Sequence, residues 1–144
     1  EAMTPAYQEY AQQILKNAKA MEKVFKDNNV RMIGGGTDNH LILADVFGSL
    51  GVTGKEAQTV LDEVGITLNM NTIANDTRKP LDPSGIRFGT PAITTRGFKE
   101  EDCAEVARLL IETLRNKDNT EKKIEIKNKI KTLAHKHPIP KSFV

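Results

Sequence analysis

The residue of this sequence best suited to chemistry is Arg87, which lies in a short apolar run from Gly85 to Gly89. Its neighbours are Ile86 and Phe88, so if the run is a strand, the side chain of Arg87 points away from theirs. A guanidinium on a half-buried strand is costly unless an anion pairs with it, and its planar fork suits a carboxylate or a phosphate. That anion is either a bound ligand or an internal Asp or Glu, and spacing alone leaves both open.

The other candidate sites have weaker patterns. The run Gly34–Gly36 with Thr37 could bind a phosphate through successive amides, but it lacks the spacing of a phosphate-binding loop. We interpret it as a tight turn between strands. His40, Asp38 and Cys103 do not have the spacing of zinc ligands, so no metal site is expected. No serine lies in a recognisable nucleophile elbow, so no catalytic serine can be specified.

The composition is typical of a single globular domain with a core of its own. Of the 144 residues, 28% are charged, and they nearly balance to a net charge of +2. No run approaches the apolar length of a membrane span, so no membrane partner is expected. The single cysteine, Cys103, excludes an internal disulfide and fits a reducing compartment, which predicts a cytoplasmic protein. Cys103 lies at helical spacing with Val106, Ala107 and Leu110, which predicts a position in the core.

The segment from Arg115 to Lys141 is basic, with nine Lys or Arg against three Asp or Glu. A basic tail can bind nucleic acid. Here, however, no aromatic residues are interleaved with the lysines, which surround an amphipathic helix. We therefore interpret the segment as a solvated helix face and expect no nucleic-acid partner.

The elements that position Arg87 follow from apolar periodicity and from capping signals. Thr4 with Pro5 and the capping box Thr53–Glu56 mark two helix starts, and Thr120 is a third candidate cap. Thr90 and Pro91 can begin a helix directly after the Arg87 strand. The predicted helices are residues 4–26, 53–65, 99–114 and 120–137, and the predicted strands are 30–33, 40–47, 66–68 and 86–88.

These elements predict an α/β fold, or an α+β-like one, with a small and partly antiparallel sheet covered by helices. Between strands, Asn69 to Pro83 is predicted to be a long polar loop, and such loops are often functional. The sequence opens at Glu1 inside a predicted helix, so we expect a piece of a longer protein.

Four stretches carry a family resemblance by their order and identity together. They are Gly35–His40, then Leu50–Ala57, then Gly65–Asn69 with Asn71–Ile73, and finally Ser84–Phe98. They resemble the carboxy-terminal small domain of serine hydroxymethyltransferases. Glu1–Met3 and Asn17–Met21 are similar to that family's interdomain helix. The resemblance implies an interdomain helix at residues 1–28, the small domain at residues 29–144, and a large domain outside this chain.

The resemblance also implies an enzyme with the aspartate-aminotransferase-like fold of type I pyridoxal-phosphate enzymes. Such enzymes interconvert serine and glycine, pass the one-carbon unit to tetrahydrofolate, and form homodimers or homotetramers. The family's cofactor lysine lies in the large domain, in a Thr-rich stretch followed by Arg-Gly-Pro. This sequence has no such stretch. None of its lysines is therefore assigned to the cofactor, and the chain alone is expected to be inactive.

Residue by residue, the resemblance assigns Arg87 to the carboxylate of the amino-acid substrate. Asn71 matches an asparagine that contacts folate. The folate-contacting segment that is commonly Ser-Pro-Phe is here Lys79, Pro80 and Leu81, so only the proline persists. We expect residues 69–83, held by few apolar contacts, to be mobile in this chain and to order around folate. Arg96 matches a family arginine to which we assign no catalytic role, and Asp38, Asn39 and His40 are interpreted as turn and packing residues.

Two other classes of function remain open from the sequence. One is a free-standing ligand-binding or interaction module that shares this domain. The other is a different pyridoxal-phosphate enzyme of the same fold, such as a threonine aldolase, and Asn71 on the folate side argues against it.

Overall fold

A computed structural model describes residues 4–35 and 40–139. Within these ranges the chain alternates helices with three short strands, and a 3-10 turn covers Ile33–Gly35. The elements in chain order are α1 (Pro5–Asp27), β1 (Leu41–Asp45), α2 (Val46–Leu50), α3 (Gly54–Glu63), β2 (Asn69–Asn71), β3 (Gly85–Gly89), α4 (Pro91–Thr95), α5 (Glu100–Arg115) and α6 (Thr120–Lys136).

The three strands form one antiparallel sheet in the order β1-β3-β2, so the strand that carries Arg87 is central. In the register, Arg87 lies opposite Leu43 of β1 and Asn69 of β2. The expectation of an α/β domain with antiparallel pairing is therefore confirmed. Among the described residues, no helix is long and apolar enough to cross a membrane.

The helix starts follow the local capping chemistry. The Thr4 hydroxyl accepts a hydrogen bond from the Tyr7 amide, and Thr53 and Glu56 form the predicted capping box. The proposed cap at Thr120 is wrong, because Asn119 has the extended backbone of a cap and accepts from the Lys122 amide. These short-range contacts fix the ends of the helices that cover the sheet.

The core lies where α1, α3 and α5 pack against one face of the sheet. Phe25, Leu61, Ile86 and Cys103 are all fully buried there. Burial raises the pKa of the Cys103 thiol to about 12, so the thiol stays protonated at neutral pH. The prediction that Cys103 is a core residue is confirmed.

Asn17 of α1 is a polar residue that is completely buried. Its amide nitrogen donates to the Thr94 hydroxyl at 2.8 Å and to the Phe98 carbonyl at 2.9 Å. Its oxygen accepts from Gln13 at 2.9 Å. These bonds hold α1 against the segment after β3, because a buried amide without partners would be costly.

Two of the predicted strands are wrong. Over residues 30–33 only Met32 pairs, through an isolated bridge to Ala44, and the chain then turns at Ile33–Gly35. Over residues 66–68, Leu68 is buried in the core, but the backbone joins the sheet only from Asn69. An apolar run marks burial, and here burial comes from packing without strand pairing.

The strand predicted over residues 40–47 is shorter, because β1 ends at Asp45. The Asp45 carboxylate accepts from the Gly48 amide at 2.8 Å and so caps the five-residue α2. His40 is exposed. Residues 36–39 lie outside the described residues, and they include Gly36 and Thr37 of the predicted glycine turn and the predicted turn residues Asp38 and Asn39.

Candidate functional site

Arg87 lies on the face of the sheet opposite to the core. Ile86 is fully buried and Phe88 packs against Phe25 with ring centroids 5.5 Å apart, whereas the Arg87 side chain is exposed. The predicted alternation along β3 is confirmed. The guanidinium therefore stands on an open surface supported by a rigid central strand.

Asn71 shares that face with Arg87. In the antiparallel register Asn69 lies opposite Arg87 and Asn71 lies opposite Gly85, two residues further along. Side chains two residues apart on a strand point the same way, so both asparagines flank the arginine. Gly85 is required there, because a Cβ would lie 2.8 Å from the Asn71 carbonyl oxygen and 3.1 Å from that of Ala44.

No carboxylate among residues 4–35 and 40–139 pairs with Arg87. Asp45 lies on the same face of β1, but its oxygens are used by the Gly48 amide and by Arg31 at 3.2 Å. The internal ion pair that the sequence left open is therefore not formed within the described part of the chain. Arg87 is free to bind an anion from outside it.

The segment that follows Asn71 is organised around the Asp76 carboxylate. Its oxygens accept from the Arg78 amide at 2.9 Å, and from the Ser84 amide at 3.0 Å and hydroxyl at 2.7 Å. The Ile73 amide adds a longer bond at 3.3 Å. Hydrogen bonds to the charged form, led by the Ser84 and Arg78 amides, lower the pKa of Asp76 to about 2.

A second set of contacts ties the same loop to α2. Arg78 donates to the Asp82 carboxylate at 2.6 Å, and its guanidinium lies 4.6 Å from the centroid of the Phe47 ring. The Thr53 hydroxyl, followed by the Arg78 guanidinium, holds the pKa of Asp82 below its usual range. Polar side chains thus anchor a segment for which we expected few apolar contacts, and the mobility of residues 69–83 stays a prediction. The predicted loop is wrong at its start, because Asn69–Asn71 form β2.

The segment Lys79–Leu81 forms the exposed tip of this loop. All three of its residues are exposed, and Leu81 is 80% accessible. The Asp82 amide donates a hydrogen bond to the Lys79 carbonyl at 2.9 Å, so these residues form a turn. Within the described residues, no hydrogen bond joins this tip to Asn71 or Arg87. The side-chain amide of Asn71 instead donates to the Thr72 carbonyl at 2.8 Å. The structure thus brings Arg87 and Asn71 onto one face and leaves Lys79–Leu81 apart.

Arg96 has a different environment. Its guanidinium donates to the His137 carbonyl at 2.7 Å and to the Ala134 carbonyl at 2.9 Å. A cation at the carboxyl end of a helix satisfies free carbonyls and suits the helix dipole. Arg96 therefore holds the end of α6, away from the Arg87 face. In the part of the chain that is described, no group of three His, Cys, Asp or Glu could hold a metal ion.

Replacing Asp76 with Asn is expected to loosen the loop. The neutral amide cannot accept all the bonds that the carboxylate accepts, so the Arg78 and Ser84 amides should exchange with solvent faster, on the order of tenfold at pH 5. Because the pKa of Asp76 is depressed, the stability that its charged form gives to the loop is present above about pH 4. This stability is lost as the pH falls through about 2. Hydrogen exchange read by NMR measures both effects.

The matched control for this loop prediction is Asp62→Asn on the exposed side of α3. It removes the same charge and should leave the exchange of the loop amides unchanged. Equal acceleration in both variants would mean that net charge matters and that the Asp76 contacts do not.

Comparison with known proteins places these residues in a family. A family model described as serine hydroxymethyltransferase matches residues 1–110. The chain is 49% identical over 140 residues to the serine hydroxymethyltransferase of Lactobacillus gasseri, and 46% identical over 140 residues to that of Lactobacillus acidophilus. Each match covers 96% of this chain and 34% of the relative, so the chain spans about a third of the length of these curated relatives.

Proposed function

The chain belongs to the serine hydroxymethyltransferase family, and we propose that it is the carboxy-terminal small domain of such an enzyme. The reaction is the interconversion of serine plus tetrahydrofolate with glycine plus methylene-tetrahydrofolate. The observation that carries the proposal is Arg87, an exposed arginine on a central strand without a partner carboxylate in the described residues. The type I fold, with residues 1–28 as the interdomain helix and residues 29–144 as the small domain, belongs to the same proposal.

The open guanidinium of Arg87 fits the carboxylate of an amino acid. Two parallel N–H donors of an arginine match the two oxygens of a carboxylate, which fixes the orientation of the ligand as well as its charge. The strand holds the arginine by pairing on both edges, so the guanidinium is presented from a rigid element. Arg87 thereby orients the bonds at the substrate's α-carbon towards the reacting group.

Pyridoxal phosphate, when bound, supplies the electron sink for breaking those bonds. We place the lysine that binds it in the part of the protein beyond this chain, since no lysine here lies in a Thr-rich stretch followed by Arg-Gly-Pro. The residues of this chain therefore hold and orient the amino acid, and the chain alone is expected to have no activity.

Asn71 supports the folate half of the proposal. Its side chain is half-buried beside Arg87, and an amide can both donate to and accept from a heterocycle such as a pterin. Lys79, Pro80 and Leu81 form a second, exposed surface for folate, with the apolar Leu81 available to an aromatic group. For the complete enzyme we propose, correspondingly, a homodimer or homotetramer in the cytoplasm.

The experiment that tests this function is to measure two reactions of the complete protein. Asn71→Ala is expected to weaken tetrahydrofolate-dependent cleavage of serine, by about tenfold for the loss of one hydrogen-bonding side chain. It should leave folate-independent cleavage of other β-hydroxy amino acids unchanged, because that reaction uses Arg87 and the cofactor without a pterin contact. Rates of glycine formation with and without tetrahydrofolate give both values.

Asn128→Ala on the exposed side of α6 is the matched control, and it should change neither reaction. Equal loss of both activities in Asn71→Ala would assign Asn71 to the fold or to the amino-acid site. A wild-type protein that forms no glycine from serine and tetrahydrofolate would contradict the proposed function itself.

A further inference from the structure

The strand β3 places a single side chain, that of Arg87, on the open face of the sheet. The positions two residues before and after it share that face, but they are Gly85 and Gly89 and have no side chains. The surroundings of the guanidinium must therefore come from β1, from β2 and from the chain that passes over the two glycines. These neighbours differ in their chemistry from one side of Arg87 to the other.

Apolar side chains border Arg87 on three of its four sides. On the β1 side, its direct partner in the register is Leu43. At the glycine that follows Arg87, an added Cβ would lie 3.1 Å from Cδ2 of Leu41. At the glycine that precedes it, an added Cβ would lie 2.7 Å from Cγ2 of Ile73. None of these side chains can donate a hydrogen bond, so an anion bound to Arg87 gains no second polar contact from them.

The fourth side, towards β2, is polar. Asn69 lies directly opposite Arg87 in the register, and the Cβ atoms of such pairs are about 4.5–5.5 Å apart. The Asn69 side chain is exposed, and in residues 4–35 and 40–139 no hydrogen bond engages it. Asn71 differs, because its side-chain amide already donates to the Thr72 carbonyl. Asn69 therefore has two N–H donors beside the guanidinium that this part of the chain leaves unused.

The strand that carries Asn69 is held in place on both of its edges. Its inner edge pairs with β3, where Met70 lies opposite the fully buried Ile86. On the outer edge, the Met70 amide donates to the side-chain oxygen of Gln58 in α3 at 2.8 Å. Asn69 is therefore presented from a fixed position, as Arg87 is, and a binding site needs such support to hold its geometry.

We propose that Asn69 is a second binding residue for the amino-acid carboxylate, with its side-chain amide donating to one of the two oxygens. This contact rests on the proposed function, since it requires that Arg87 binds the same carboxylate. The two oxygens of a carboxylate together offer about four lone-pair sites, so a bidentate contact with Arg87 leaves room for the Asn69 amide. The apolar borders on the other three sides make the β2 side the favourable place for the ligand.

This placement also brings the two substrates of the proposed reaction together. Asn71 lies two residues after Asn69 and shares its face of β2. A carboxylate bound between Arg87 and Asn69 is therefore on the same side of β3 as the residue proposed to contact folate. The amino acid and the acceptor of its one-carbon unit would then meet over β2.

The test is calorimetric titration of the complete enzyme with serine and with glycine. Asn69→Ala is expected to raise both dissociation constants about tenfold, for the loss of one hydrogen bond to a charged group. Asn69→Asp should raise them at least about hundredfold, because a like charge then stands beside the bound carboxylate. The matched control Asn128→Asp adds the same charge on the exposed side of α6 and should change neither constant.

The order of the two Asn69 variants separates ligand binding from a structural role. Asp has nearly the shape of Asn, so a residue needed only for packing would tolerate Asn69→Asp better than Asn69→Ala. That order, or wild-type serine affinity in both variants, would overturn the contact. If Arg87→Ala still weakens serine binding in that case, the proposed function stands without Asn69. Unchanged serine affinity in Arg87→Ala would instead remove both the substrate role of Arg87 and the contact built on it.

Discussion

Replacing Arg87 with Ala in the complete enzyme is expected to weaken amino-acid binding by about 30-fold to several-thousand-fold. In the role proposed for Arg87, the substitution removes a charged bidentate contact, and truncating one partner of a desolvated charge pair costs about 2–5 kcal/mol. Arg87→Lys should recover little of this, because an ammonium cannot present two parallel donors to a carboxylate. The dissociation constants of serine and glycine are the quantities to measure.

The control for Arg87 is Arg108→Ala, which removes the same side chain from the exposed side of α5. Among the residues that the structure describes, Arg108 pairs only with Glu105 on its own helix, at 3.1 Å, so Arg108→Ala should leave serine affinity unchanged. Near-normal affinity in both Arg87 variants would show that the anion bound by this arginine is not the substrate.

The second large effect is expected on stability, from Leu61→Ala in α3. Leu61 is fully buried in the main core, so the substitution removes its apolar contacts and leaves a cavity. We expect a loss of about 2–5 kcal/mol in the free energy of unfolding. Urea unfolding of the chain measures this loss, provided that the slope of the unfolding free energy against urea concentration is the same in the variant and the wild type.

Leu15→Ala in α1 is a matched control for that loss. It makes the same substitution in a helix, so the change in helix propensity is the same, but Leu15 is 44% exposed and loses less burial than the fully covered Leu61. The expected cost is below about 1 kcal/mol. A cost for Leu15→Ala as large as that for Leu61→Ala would mean that helix propensity dominates and that the assignment of the core is wrong.

Local chemistry explains which parts of the fold could be predicted from the sequence. Thr4, Thr53 and Glu56 cap helices through atoms three residues away, so the signal and its effect lie in the same short segment. The apolar stripe around Cys103 and the run around Arg87 also repeat with the period of the element that they form. The family motifs are similarly continuous stretches of the sequence.

The errors arose where a segment's state depends on a distant partner. Leu68 and Met32 are both buried, but whether an apolar run pairs as a strand is decided by which backbone lies beside it. The buried Asn17 gave no sequence signal of its own, because its partners Thr94 and Phe98 lie about eighty residues away. Asp76 was missed for the same reason, since its role depends on the turn that brings Ser84 back to it.

The sequence by itself determined that Arg87 stands on the polar side of an apolar strand, and it identified the family through four ordered motifs. Only the tertiary structure decided that this strand is central, that Asn71 lies on the same face, and that no carboxylate in the described residues pairs with Arg87. The physical reason is that side-chain direction follows from the two-residue period of a strand. Neighbours across a sheet are set by register, which is fixed by long-range packing and by close approaches such as that at Gly85.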